Sequence, residues 1–169
     1  MQQLQQLQFQ SKSPDKVDKQ LERILEYLRL DKGDAIRLKY SKPSAFVPEP
    51  DYCHFNVWCQ IRSAGGDAQP GWVLAQDKQR GFAEAFFHSV WVAPDGKLID
   101  VTPRKDLEKR LLFVKDPSRS ITLTSDQGRP AINTFNNVRL FGQKLVSELK
   151  EITIIMEGDF PVRQGLWPW

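Results

Sequence analysis

The sequence predicts an α+β fold in which an antiparallel β-sheet packs against helices. The first observation is an apolar segment, 82–103, whose two halves flank a tight-turn sequence and predict a β-hairpin. The second is a helical pattern over 51–62, with prolines before it and two glycines after it. The third is a set of aliphatic residues at helical spacing over 17–28. Together these patterns place helices and antiparallel strands in one chain.

Composition favours a globular protein and excludes several functions. The chain has 169 residues, 40% of them hydrophobic, which suits one domain with a sizeable core. Its 24 basic and 21 acidic residues give a net charge of +3, too balanced to indicate a nucleic-acid surface. No signal peptide and no membrane-spanning run is recognisable. We therefore expect a cytoplasmic protein that binds neither nucleic acid nor membrane.

The segments before the hairpin divide into an arm, a helix, a loop and a second helix. Residues 1–12 are rich in glutamine and predict a flexible arm, whereas 13–169 form a single α+β domain. Ser13 followed by Pro14 predicts a helix start, and apolar spacing continues that helix to residue 28. Prolines at 43, 48 and 50 predict an extended loop over 35–50, which leads into the second helix.

The remaining segments complete the predicted sheet. Residues 71–76 predict a strand that returns into the hairpin, and 102–110 predict a short helix with proline at its first position. Residues 111–115 and 120–124 predict two further strands. Residues 141–156 predict a helix, although the β-branched ITII sequence within them also fits a strand.

The turn of the hairpin determines which side chains share a face of the sheet. Pro94, Asp95 and Gly96 suit a three-residue loop in which the glycine has positive φ. In that register His88 and Asp100 are diagonal cross-strand neighbours on one face, about 7–8 Å apart at Cα. A two-residue loop would move Asp100 to the opposite face. The longer loop therefore predicts an imidazole–carboxylate pair.

Cys53 is the candidate nucleophile. It lies in the first turn of the predicted helix, with Asp51 as N-cap, where unpaired N–H groups and the helix dipole stabilise a thiolate. His88 as base and Asp100 as the acid that orients it complete a Cys-His-Asp arrangement. The structural alternative is a buried cysteine, a core histidine and an aspartate that caps a turn.

The order of these residues resembles the core of the transglutaminase-like and papain-like cysteine enzymes. Transglutaminase-like domains commonly carry a histidine, a tryptophan three residues later, and then a strand with Asp-x-Thr. His88 and Trp91 match the first part of this pattern, and Asp100 and Thr102 match the second. The resemblance covers 51–103, about a third of the chain. It departs at the cysteine, where the family usually has small residues and a tryptophan and this chain has YCHFN.

The resemblance implies a cysteine-dependent hydrolase or acyltransferase that acts on a protein or peptide amide through a thioacyl intermediate. Cys53, His88 and Asp100 are the expected catalytic residues, and Asn56 and Trp91 the expected substrate-binding residues. The alternative is a non-catalytic protein-binding module on the same fold. Two points stay open: whether water or an amine accepts the acyl group, and how many copies of the chain associate.

The two cysteines also raise the question of a disulfide or a metal site. Cys53 and Cys59 are too few for a disulfide framework, and we expect both to be free thiols. A metal site would use both of them with His54 and His88. The adjacent residues 53 and 54 diverge on a helix and no C-x-x-C pair occurs, so we expect neither a metal nor another cofactor.

Overall fold

Two antiparallel sheets and three α-helices make up residues 10–167, the part of the chain that the computed structural model describes. The predicted α+β class is therefore confirmed. No helix within this range is long and apolar enough to cross a membrane. The helices are α1 (Lys19–Leu28), α2 (Cys53–Ala64) and α3 (Phe160–Arg163), and 3₁₀ turns span Lys32–Asp34 and Lys78–Arg80.

Seven strands form the larger sheet and three form the smaller one. The larger sheet has the order β1-β5-β2-β3-β8-β9, with β4 paired to β3, and the smaller has the order β10-β7-β6. The strands are β1 (Ala35–Lys39), β2 (Asp67–Asp77), β3 (Phe82–Val92), β4 (Leu98–Ile99), β5 (Arg110–Lys115), β6 (Thr122–Asp126), β7 (Arg129–Phe135), β8 (Val138–Phe141), β9 (Lys144–Ser147) and β10 (Glu151–Ile155).

Strand β3 lies in the middle of the larger sheet, and the candidate site lies where part of one edge of β3 has no neighbouring strand. It pairs with β2 along its whole length. On its other side, residues 82–85 pair with β8, and residues 91–92 pair with β4. Within the described chain, the intervening residues 86–90 have no strand partner on that side. The start of α2 packs against this stretch of β3.

Helix α1 covers one face of the sheet, and it begins later than the sequence predicts. Its cap is Asp18, whose carboxylate accepts from the N–H groups of Gln20 and Leu21. Ser13 is not a helix start because its hydroxyl joins two strands, donating to the Leu74 carbonyl and accepting from the Leu112 N–H. The buried face of α1 packs into the main core, which contains Leu21, Ile24, Leu25, Leu28, Trp72, Leu74 and Phe87.

The predicted arm and the predicted loops contain more strand pairing than expected. Lys12 forms an antiparallel bridge with Gln76, while residues 1–9 lie outside the described part of the chain. Residues 35–39 form β1 where a loop was expected, and β2 starts four residues before the predicted strand. Pro70 is tolerated there because β2 pairs with β5 only from Gly71 onward.

Two predicted helices are wrong. Residues 102–110 form no helix: Leu107 has φ of 61°, and Arg104 bonds the carboxylates of Asp106 and Glu108. Residues 141–156 form two strands and the turns between them, because Gly142 at φ of 57° reverses the chain and β10 pairs with β7. The alternative reading of ITII as a strand is confirmed. In both segments tertiary hydrogen bonds override the helical pattern of the sequence.

Candidate active site

Helix α2 begins at Cys53, which places the sulfur beside β3. The N-cap is Tyr52 rather than the predicted Asp51, because Asp51 has φ of 68° and its carboxylate pairs with Lys105. Tyr52 makes no side-chain capping bond. No capping carboxylate therefore competes with a thiolate for the first-turn N–H groups and the positive end of the helix dipole.

The hairpin has the register that its turn sequence predicts. The Ala93 N–H donates to the Lys97 carbonyl at 2.9 Å, and Val92 pairs with Leu98. Gly96 has φ of 84°, as a three-residue loop with a glycine bulge requires. The predicted register and turn are therefore confirmed at this end of the hairpin. Regular pairing stops after two residues, where the second strand leaves β3.

His88 and Asp100 form the predicted pair. The His88 Nε2–H donates to Asp100 Oδ1 at 3.0 Å, and the same oxygen accepts the Thr102 N–H at 3.2 Å. A parallel bridge to Tyr40 and a bond from the Ser41 N–H hold the backbone of Asp100. Only 1% of Asp100 is exposed, so its carboxylate acts on the imidazole without screening by water. Because Nε2 is occupied, Nδ1 is the nitrogen left for the sulfur.

The electrostatics of the pair formed by Cys53 and His88 favour a thiolate and an imidazolium. Burial by itself raises the pKa of the Cys53 thiol, but the electrostatic interactions and hydrogen bonds of His54 and His88 outweigh it. The pKa of Cys53 therefore lies well below its usual range. Burial lowers the pKa of His88, but Cys53 and Asp100 together raise it to about 10. Each group therefore favours the charged form of the other.

His54 is a second imidazole beside Cys53, and the sequence indicates it only as a candidate metal ligand. Its Nδ1 lies 2.6 Å from Ser89 Oγ, and only 6% of the residue is exposed. Ser89 follows His88 on β3, so the two side chains point to opposite faces. The alternation of β3 gives Ser89 a buried face that requires a polar partner, but it does not identify His54 as that partner.

Two cavities of about 370 Å³ each meet at Cys53. One, the His54 cavity, lies between the start of α2 and the smaller sheet; the other, the His88 cavity, lies against residues 102–105. A larger cavity of about 870 Å³ lies further along β3, and among the described residues neither cysteine nor histidine lines it. Cys53, His54 and His88 therefore lie at the two smaller cavities and not at the larger one. Asp51, Cys53, Phe87 and Asn137 line both of them.

The two predicted substrate-binding residues have other contacts. Asn56 is fully buried, and its side chain bonds the backbone of Glu49 and the hydroxyl of Thr102. This arrangement gives Asn56 a structural role, joining α2 to the loop before it and to the end of the hairpin. Trp91 donates to the Gly65 carbonyl at 2.8 Å and lies at the far end of α2. Neither residue lines the cavities at Cys53.

Cys59 lies in a different environment from Cys53. Both are free thiols, and Cys59 packs in an apolar cluster with Phe55, Ile132 and Phe160. Burial raises its pKa, which the charge of Arg62 offsets in part. Within residues 10–167, no group of three or more histidine, cysteine or acidic side chains is placed to hold a metal ion.

Comparisons with known proteins assign this chain to no family. Family models, curated proteins and solved structures were compared with the chain, and none matches it. What the structure defines is an α+β fold with a cysteine and a histidine at one cleft and a buried aspartate hydrogen-bonded to that histidine. The resemblance to transglutaminase-like enzymes accordingly stays a prediction.

We expect iodoacetamide to alkylate Cys53 about 100-fold faster than Cys59 at pH 7. An ordinary thiol is only a few per cent thiolate at that pH, and the raised pKa of Cys59 leaves it less. Cys53, with its lowered pKa, should keep its rate as the pH falls from 9 through 7. Peptide mass mapping after brief labelling measures both sites. Equal labelling of the native protein would contradict the expectation, whereas equal labelling in denaturant is the control.

Proposed function

We propose that this protein is a cysteine-dependent hydrolase or acyltransferase that cleaves an amide through a thioacyl intermediate. The observation that carries the proposal is the His88–Asp100 hydrogen bond of 3.0 Å beside a buried thiol of lowered pKa. A helix that begins at Cys53, then a strand with His88, and then Asp100 directly after β4, is an order that supports a transglutaminase-like or papain-like core. Two free thiols suit a reducing compartment, which favours the cytoplasm.

Acylation begins from the ion pair. The Cys53 thiolate attacks the amide carbon, and the electron pair of the C=O bond moves to oxygen. As the tetrahedral intermediate collapses, the C–N bond breaks and the His88 imidazolium gives its proton to the departing amine. Asp100 keeps the imidazole oriented throughout and stabilises its charged form. The product of this half-reaction is a thioester on Cys53 and a free amine.

Deacylation reverses these roles. Water, or a second amine, loses a proton to His88 as it attacks the thioester, and the Cys53 thiolate leaves. Water gives hydrolysis and an amine gives transamidation. The His88 cavity is lined by Arg104 and Lys105, beside the imidazole that exchanges the proton, and we place the departing amine and the incoming acceptor there. A protein or peptide amide is the proposed substrate.

The proposal is tested with p-nitrophenyl acetate, because an activated ester acylates a reactive thiolate without substrate recognition. We expect a burst of p-nitrophenolate close to one equivalent and one acetyl group on the peptide that contains Cys53. The Cys53→Ala variant should show no burst. A blocked glutaminyl-glycine dipeptide with and without hydroxylamine then separates transamidation, which forms a hydroxamate, from hydrolysis, which forms glutamate; both release ammonia.

The same experiment has a clear negative outcome. Acetylation confined to lysines, or a burst that survives in Cys53→Ala, would contradict a thioacyl enzyme. Slow, ordinary thiol chemistry at Cys53 would favour the binding module instead. Cys59→Ala is the matched control, because Cys59 lies in the same helix but packs in the apolar cluster, and it should retain the full burst.

A further inference from the structure

We propose that His54 is a catalytic residue, the side-chain donor that stabilises the oxyanion formed when Cys53 attacks a carbonyl. This inference depends on the proposed function and adds the group that completes its site. A cysteine acyl-transfer centre needs two hydrogen-bond donors at the developing oxyanion. The Cys53 N–H, at the start of α2, supplies the first. His54 is the side chain that the fold places next to it.

The two imidazoles reach Cys53 from different sides. His88 lines one cavity and His54 lines the other, while Cys53 lines both. A carbonyl group attacked at the sulfur has its leaving nitrogen on one side and its oxygen on another. Because His88 must protonate the nitrogen, the leaving group lies in the His88 cavity. The carbonyl oxygen is then directed toward His54.

The contact with Ser89 determines which nitrogen of His54 can donate. Ser89 Oγ lies 2.6 Å from Nδ1, and both residues are buried. We assign the hydroxyl as the donor to Nδ1, which leaves the ring hydrogen on Nε2. Nε2–H is then the group that we assign as the donor to the oxyanion after attack. No proton is transferred from His54, since it only donates a hydrogen bond.

Two reactions of the Cys53 sulfur distinguish stabilisation of the oxyanion by His54 from stabilisation of the thiolate. Iodoacetamide forms an S–C bond as iodide leaves and passes through no oxyanion, whereas p-nitrophenyl acetate forms a tetrahedral oxyanion. In His54→Phe we expect acylation to fall by about 10²–10³-fold, the effect of removing one oxyanion donor. Alkylation, corrected for the thiolate fraction measured from its pH profile, should change by less than about tenfold.

Two further variants keep the test informative if phenylalanine disturbs the fold. In His54→Gln, the amide nitrogen can take the place of Nε2–H, and acylation should recover at least about tenfold over His54→Phe. Ser89→Ala removes the group that orients the ring, and acylation should fall several-fold with little change in alkylation. Ser89 acts here as a positioning residue.

The outcomes distinguish this inference from the function it depends on. If the unaltered protein alkylates rapidly but never acylates, the proposed function fails. If it acylates and His54→Phe acylates equally fast, only the role of His54 fails. A parallel fall of the uncorrected acylation and alkylation rates in His54→Phe would also overturn it, because that pattern belongs to a residue that acts on the thiolate alone.

Discussion

Replacing His88 by glutamine should lower the acylation rate of Cys53 by about 10³–10⁴-fold. The variant loses the acid that protonates the leaving group, which by itself contributes about 10²–10⁴-fold. It also raises the pKa of the thiol, because burial remains while one of the two imidazoles that offset it is lost. Once that pKa lies above 7, the thiolate fraction at pH 7 falls about tenfold for each further unit.

The measurement is the pH profile of alkylation together with the rate of ammonia release from the blocked glutaminyl-glycine dipeptide, because an amide leaving group requires the proton and p-nitrophenolate does not. In His88→Gln the alkylation rate should climb with pH through the alkaline range instead of staying level. Recovery of the rate near pH 10 is the control, since it shows that the sulfur is still accessible. A profile that matches the unaltered protein would remove His88 from the site.

Asp100→Asn should lower acylation by about 10³-fold while the protein stays folded. The amide oxygen can still accept from the His88 Nε2–H and from the Thr102 N–H, so the geometry is retained. The charge that stabilises the imidazolium is lost, however, and the pKa of His88 should fall from about 10. The ion pair then weakens, and the amide no longer selects the required tautomer.

Asp95→Asn is the matched control for this variant. Asp95 lies in the hairpin turn, pairs with Lys97 and is exposed to solvent. Its replacement keeps the turn acceptor and should change acylation by less than about twofold. Thermal unfolding of both variants checks the fold. Full activity in Asp100→Asn would leave the carboxylate with a structural role only.

The central hairpin could be predicted because its determinants are local. The sequence Pro94-Asp95-Gly96 specifies a turn, and the turn specifies the register that brings His88 and Asp100 together. Neither step requires knowledge of the rest of the chain. The start of α2 at Cys53 was similarly predictable to within two residues from the prolines and glycines that flank it.

The roles of Asn56 and His54 could not be predicted in this way. Asn56 is one helical turn from the nucleophile, which placed it near the site, but its burial follows from a loop at Glu49 and a strand end at Thr102. His54 required the packing of α2 across β3, where Ser89 orients it. Both depend on contacts between segments that are distant in sequence.

By itself the sequence determined the α+β class and the hairpin that pairs His88 with Asp100, because turn chemistry and strand alternation act over a few residues. Only the tertiary structure decided that 141–156 is strand rather than helix, since pairing with β7 outweighs a weak local preference. It also decided that His54 joins the site. The His54 imidazole lies beside Cys53 because α2 packs where β3 lacks a neighbouring strand. No local sequence pattern predicts that packing.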